Sequence, residues 1–223
     1  MATLFLAMAA GILSPFIISK RLALMGAALS HSQVLYAAIA LSFVQSYESV
    51  EFQIALILMS SLFALILAYV TFKEKIPNDS TLALFFTVAM ALGIVILQNR
   101  ENSPELSSLL FGNLLLISRS ETIVLALICL FITLFIFIPF KNWILICFDE
   151  QTAQVEKRPV KTFHTFLILI LALLISSTLK MGGAIVINTL LIIPGVFAGQ
   201  MARSIGQTFL LSIIFSLFAS FFG

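Results

Sequence analysis

Charge is scarce in this sequence: Lys, Arg, Asp and Glu make up 10% of its 223 residues, too little to cover a water-soluble domain of that length. The formal net charge of +2 comes without a long Lys/Arg block, which removes nucleic acid from the possible partners. Cysteine is nearly missing. Cys129 and Cys147 stand in or beside apolar runs without metal-ligand spacing, so they read as small packing hydrophobes, and no disulfide framework is implied. Catalytic signatures are missing too: there is no HExxH, no GxSxG, and no GxxxxGK followed by Ser or Thr, nor a pair of acids inside an apolar run that could relay protons. These absences argue against an enzyme. Any work the chain performs must draw on an ion gradient or a separate ATPase.

What is abundant is apolar: 61% of the residues are hydrophobic and the mean hydropathy is +1.16, the composition of an integral membrane protein. Runs of about 20 apolar residues separated by short polar clusters predict eight spans. They cover Thr3 to Ser19, Leu22 to Val44, Phe52 to Phe72, Thr81 to Leu97, Ile123 to Phe140, Phe163 to Leu179, Gly182 to Ala202 and Gln207 to Phe222. The expected fold is therefore an all-α polytopic bundle of about eight transmembrane helices, a single membrane domain over 1–223 surrounded by lipid, with no soluble domain left over. The first run is followed, not preceded, by its basic pair Lys20-Arg21, the reverse of a cleavable signal peptide.

Placing the N-terminus outside puts Lys20, Arg21, Lys73, Lys75, Lys141, Lys157, Arg158, Lys161 and Arg203 on the inner connections. Only Arg100, Arg119 and Lys180 are then left outside. Inner loops rich in Lys and Arg are the expected bias, so the multi-pass chain is read with its N-terminus outside. Two connections exceed the length of a turn. Lys141 to Lys161 holds FDEQTAQVEKRP, with Asp149 as a helix N-cap, Pro159 as a stop and about two turns of amphipathic helix between; it is either a docking segment for a cytoplasmic partner or a solvated loop. Asn99 to Glu121 holds SSLLFGNLLLISRSE, too short to span, which lies along the interface or re-enters.

Two stretches carry candidate chemistry. Lys180 to Arg203, KMGGAIVINTLLIIPGVFAGQMAR, places Asn188 and Thr189 within hydrocarbon, breaks the backbone ladder at Pro194 and sets Gly195 and Gly199 four residues apart. Such a helix either lines a polar path or is a kinked, closely packed element. In the second run, MGAALSHSQ carries His31, the histidine set well inside apolar surroundings. It is either a ligand for a metal ion or a packing residue hydrogen-bonded by Ser30, Ser32 or Gln33. His164 sits at the inner end of the sixth run, where an interfacial place suffices.

Four stretches taken together, Gly11 to Ser32, Leu109 to Glu121, Phe148 to Glu156 and Lys180 to Arg203 with its LLIIPG, resemble in order and spacing the permease subunits of bacterial ABC importers for zinc, manganese or ferrous iron. The resemblance implies a type II ABC-importer fold. It also implies a homodimer around a translocation path in the cytoplasmic membrane, supplied by an extracytoplasmic metal-binding protein and driven by alternating access. The chain itself would need no cofactor, because ATP and Mg belong to a separate cytoplasmic ATPase subunit. The segment near 148–159, with Asp149, Glu150, Ala153 and Glu156, would couple to that ATPase, and Phe111 and Gly112 would lie towards the binding-protein side. His31 would be the metal contact on the path, joined by Asn188 and Pro194.

The sequence also departs from the family pattern. Members typically place an Asp one turn before the histidine, and here that position is Ala27; a further histidine of zinc members corresponds to Thr87. Members usually continue through another hydrophobic segment beyond the position of Gly223. These departures keep two alternatives open: an ion-coupled secondary transporter, which would need an intramembrane carboxylate that the ten loop and span-end acids do not supply, and a permease-derived scaffold that transports nothing.

Overall fold

The computed structural model describes residues 2–44, 47, 49–73, 79–99, 106–112 and 119–222. Lys75 and Arg100 of the charge reading lie outside these residues, as does stretch 113–118 of the outer connection. All ten described elements are helices: α1 (Ala2–Ser19), α2 (Ala23–Phe43), α3 (Val50–Lys73), α4 (Asp79–Gln98), α5 (Leu106–Phe111), α6 (Arg119–Phe137), α7 (Phe140–Phe148), α8 (Glu150–Val155), α9 (Val160–Met201) and α10 (Ile205–Phe222). Large apolar side chains remain exposed along them, including Leu58, Leu62 and Tyr69 on α3 and Leu127, Leu130 and Leu134 on α6. Such helices suit lipid, where apolar side chains facing outward carry no hydrophobic cost.

Every expected span falls on a helix, with two differences of local form. The fifth run bends by 74° between α6 and α7, because Pro139 has no N–H to continue the ladder while its carbonyl accepts from Asn142 N and Trp143 N to start the next helix. Part of the expected inner connection is therefore helix α7. The sixth and seventh runs merge into α9, in which Gly183 has non-helical backbone angles, a φ of 62° and a ψ of 170°. That combination belongs to the region open essentially to glycine alone. Lys180, expected in an outer connection, thus lies within the helix.

The chain forms two compact units. Unit 1 takes Met1–Ala23, Ser118–Ile170 and Thr189–Gly223; in it α1 packs chiefly on α10 and α6. Its aromatic centre is Trp143, buried against the rings of Phe16, Phe135 and Phe163 at 5.8, 6.0 and 4.7 Å. Unit 2 takes Leu24–Ile117 and Leu171–Asn188. Its core joins Leu35, Tyr36 and Leu41 of α2 with Phe52 and Leu56 of α3, Ala89 and Leu97 of α4, Leu109 of α5, and Leu179 and Ala184 of α9.

Candidate functional site

The polar groups of unit 2 gather on α2 and its neighbours. Gln33, fully buried, donates from Nε2 to Ser60 Oγ at 3.0 Å, and Ser60 donates onward to the Ala172 carbonyl at 3.3 Å. This chain of bonds fixes α2, α3 and α9 together across apolar surroundings where few other partners exist. Ser30 donates to the Gly26 carbonyl of its own helix at 2.7 Å. None of Ser30, Ser32 and Gln33 bonds His31 Nδ1, for which the sequence offered them as partners. Among the described residues, His31 Nδ1 and Asn188 Oδ1 are buried without a hydrogen-bond partner, as are Ser32 Oγ, Gln33 Oε1 and Tyr36 OH on α2 and Ser212 Oγ and Ser220 Oγ on α10. A buried polar atom left unpaired costs about 1–3 kcal/mol, so such atoms ask for a function or a ligand.

Where His31 Nδ1 and Asn188 Oδ1 sit follows from the helices. The ring of His31 lies 5.5 Å from that of Phe86 on α4, and Asn188 Oδ1 stands 3.5 Å from where a Cβ on Gly26 would be. That is ordinary van der Waals distance, so the amide oxygen lies alongside the Gly26 turn of α2. Gly26 precedes His31 by five residues, about 7.5 Å along the axis, so unit 2 carries both groups on or against the same stretch of α2. Ala27 is half-buried between them. Thr87 is exposed and spends its hydroxyl on the Ala83 carbonyl at 2.7 Å. Among the described residues no three His, Cys, Asp or Glu side chains come together as a metal cage.

Pro194 belongs to unit 1 and was legible as a break needing repair; the repairing group was not. Ser14 of α1 accepts from Gly195 N at 2.7 Å and is 3.5 Å from the Ile192 carbonyl to which it donates, so one hydroxyl bonds the backbone on both sides of the proline. The Ser14-Pro15 pair inside an apolar run was the available signal. Beside it, Thr189, Ile193, Pro194, Phe197, Phe215 and Phe218 line an apolar hollow of about 230 Å³.

At the inner end of unit 1, Asp149 caps α8, accepting from Thr152 N at 3.1 Å and from Thr152 Oγ1 at 2.6 Å. These bonds hold the Asp149 carboxyl below its usual range. Glu150 receives Lys20 Nζ at 2.6 Å, a hydrogen bond and ion pair that likewise lowers its carboxyl. Ala153 is fully buried, packed with Ile146 and Val160, and seats α8 on the unit. Glu156 is exposed and pairs with Arg158 at 3.2 Å. The outward surface of α8 is thus Gln151, Thr152, Gln154 and Val155, with Val155 83% exposed. Of the outer residues, Phe111 is exposed and Gly112 has a positive φ of 72°.

The sequence pattern of the ABC 3 transport family matches residues 1–223. The chain belongs to that family. It is 30% identical over 223 residues to the manganese transport system membrane protein MntC of Halalkalibacterium halodurans, covering all of this chain and 75% of that one. To the high-affinity zinc uptake system membrane protein ZnuB of Buchnera aphidicola it is 31% identical over 231 residues, covering 100% and 87%. The chelated iron transport system membrane protein YfeD of Yersinia pestis shares 30% over 212 residues, 95% of this chain and 70% of its own. Among solved structures, PsaBC from Streptococcus pneumoniae in complex with Fab aligns with a TM-score of 0.81 at 29% identity, over 98% of this chain and 77% of that one. This ABC 3 chain is accordingly a multi-pass permease subunit of the metal ABC importers, a membrane component rather than a catalytic one.

Proposed function

We propose that this permease is the transmembrane subunit of an ATP-driven importer of divalent transition-metal ions, working by alternating access. It acts as a homodimer with a separate cytoplasmic ATPase that holds ATP and Mg, and with an extracytoplasmic metal-binding protein. The observation that carries the reading is the match of the whole chain to the family, with relatives named for manganese, iron and zinc. The N-terminus lies outside, as the distribution of Lys and Arg favours.

His31 and Asn188 are the metal contacts. The imidazole nitrogen and the amide oxygen are both suited to a borderline divalent ion, and their unpartnered atoms support that role. Ala27 and Thr87 add no ligand, so the ion is held weakly and released readily as the path reopens inward. Pro194, beside the bond from Gly195 N to Ser14, is a further residue of the translocation helix. The segment near 148–159 couples to the ATPase: Asp149 caps the docking helix, Glu150 ties it to Lys20 beside α2, Ala153 seats it, and Glu156 lies at its outer end. Closure of the ATPase pushes on this segment and tilts the spans.

The test is ATP-dependent uptake of manganese, zinc and ferrous iron into vesicles holding the complete importer. The wild type is expected to load metal only with the ATPase, and His31→Ala and Asn188→Ala to reduce uptake roughly tenfold or more. Loading without nucleotide or ATPase would refute the ATP-driven mechanism, and wild-type uptake by His31→Ala would remove the ligand.

A further inference from the structure

Within unit 2, α9 is held very differently before and after Gly183. Before it, the helix is pinned to α3 and its approach at successive levels: Ser60 donates to the Ala172 carbonyl, Gln53 Nε2 to the Ser177 carbonyl at 3.2 Å, and the Lys180 ammonium lies over the rings of Tyr47 and Phe52 at 5.3 and 5.6 Å. After it, the helix turns away and brings Asn188 against Gly26 of α2. The element seated at the break is α5. Leu109 is packed in one cluster with Leu179 before the break and Ala184 after it. At the contact itself a Cβ on Gly112 would stand 2.5 Å from Gly183 N and from the Met181 carbonyl oxygen, while a Cβ on Gly183 would overlap the Leu110 carbonyl. Both glycines also hold positive φ, 72° and 62°. Two backbones are in direct apposition there, with conformations that side-chain-bearing residues rarely adopt.

We infer that the Gly112–Gly183 contact is a hinge through which α5 sets the direction in which α9 leaves Gly183, and so the position of Asn188. The pinned part of α9 gives the hinge a fixed side, and the absence of Cβ atoms lets the two backbones slide without separating. Its use in transport rests on the importer reading: a protein seated on the outer face would act on Asn188 by displacing α5.

The hinge is tested in the complete importer with spin labels at Ser107→Cys on α5 and Val186→Cys after the break, Cys129 and Cys147 being replaced by Ala. Gly112→Ala, which opens the contact, and Leu109→Ala, which unseats α5 without adding an atom, are expected to shift the label distance by more than the ~1.5 Å rise of one helical residue. Both are also expected to lower metal uptake at least roughly tenfold, the scale of losing a supporting group at a metal site. Gly199→Ala, whose Cβ would meet no atom within 4 Å, is the control and is expected to leave distance and uptake unchanged. A label distance unmoved in both α5 variants overturns the hinge, and a moved distance with wild-type uptake overturns its role in transport. If the unsubstituted importer moves no metal, the importer reading fails, while the label distance still decides whether the hinge exists.

Discussion

Helix α9 is interrupted twice, and the two interruptions are repaired by opposite means. At Pro194 the helix lacks an N–H, and a side chain from another helix, the Ser14 hydroxyl, bonds the flanking backbone by accepting from Gly195 N and donating to the Ile192 carbonyl. At Gly183 the backbone itself turns out of the helical region, and what meets it is another backbone, that of Leu110 to Gly112. A hydrogen-bonded repair has a fixed length and direction, so it holds one angle. An apposition of two glycines has only contact to maintain, which leaves the angle to whatever moves α5. The comparison makes Pro194 a fixed point of α9 and Gly183 a movable one.

The sharpest way to break the comparison is to give Gly183 a side chain. Gly183→Ala places a Cβ on the Leu110 carbonyl and forces a non-glycine residue to φ 62°, ψ 170°. Overpacking of this kind costs about 1–3 kcal/mol, and the backbone strain about 1–3 kcal/mol more. The thermal midpoint of the detergent-solubilised protein is expected to fall further for Gly183→Ala than for any alanine at the Pro194 site. A fall no larger than that of Gly199→Ala would mean that the backbones are not in tight contact.

The hydrogen-bonded repair calls for a cycle rather than a single change. Ser14→Ala leaves the buried Gly195 N–H without its acceptor, a loss of about 1–3 kcal/mol. Pro194→Ala removes the ring that crowds the preceding turn and restores a donor to the ladder, so Gly195 N can bond within its own helix and the hydroxyl matters less. The two changes are therefore expected to be non-additive by about 0.5–3 kcal/mol, with the double variant more stable than the sum predicts. Simple additivity in thermal or denaturant unfolding would show that Ser14 sits beside the proline without repairing the helix.

The contrast also marks what the sequence could tell. Pro194 was legible because proline acts locally: it lacks an N–H wherever it stands. Asp149 as a cap was legible for the same reason, and the structure has it bonded to Thr152. The eight runs were legible because a bilayer requires about 20 apolar residues whatever surrounds them. Ser14 and Lys20 could not be named as partners of Gly195 and Glu150, since those pairings cross long sequence separations fixed only by packing. The adjacent glycines 182 and 183 were visible, but which of them breaks the helix depends on where α5 comes to rest. At the candidate site, His31 and Asn188 stood out as polar residues in apolar runs, whereas the packing of Asn188 beside Gly26 of α2 crosses a long sequence separation and was not legible.

The smallest expected effect comes from the charge pair Lys20–Glu150, which lies in the same unit as Pro194 and separates local from global control. Lys20, bonded at 2.6 Å, lowers the Glu150 carboxyl, so the folded state binds this proton less readily than the unfolded chain. The stability from the pair is then fully present above the unfolded carboxyl range near ~4.3 and is lost as pH falls through the lower folded value. Glu150 is exposed, and an exposed pair of this kind contributes about 0.2–1 kcal/mol, less at high salt. Glu150→Gln is expected to remove that small acid-side dependence while leaving the Ser14–Pro194 coupling unchanged, because the hydroxyl that bonds Gly195 N stands about 9 Å along the helix axis before Lys20. If Glu150→Gln altered the coupling measured in the double-mutant cycle, the Pro194 site would be answering to the docking segment, and the distinction between a fixed break and a movable one would fall.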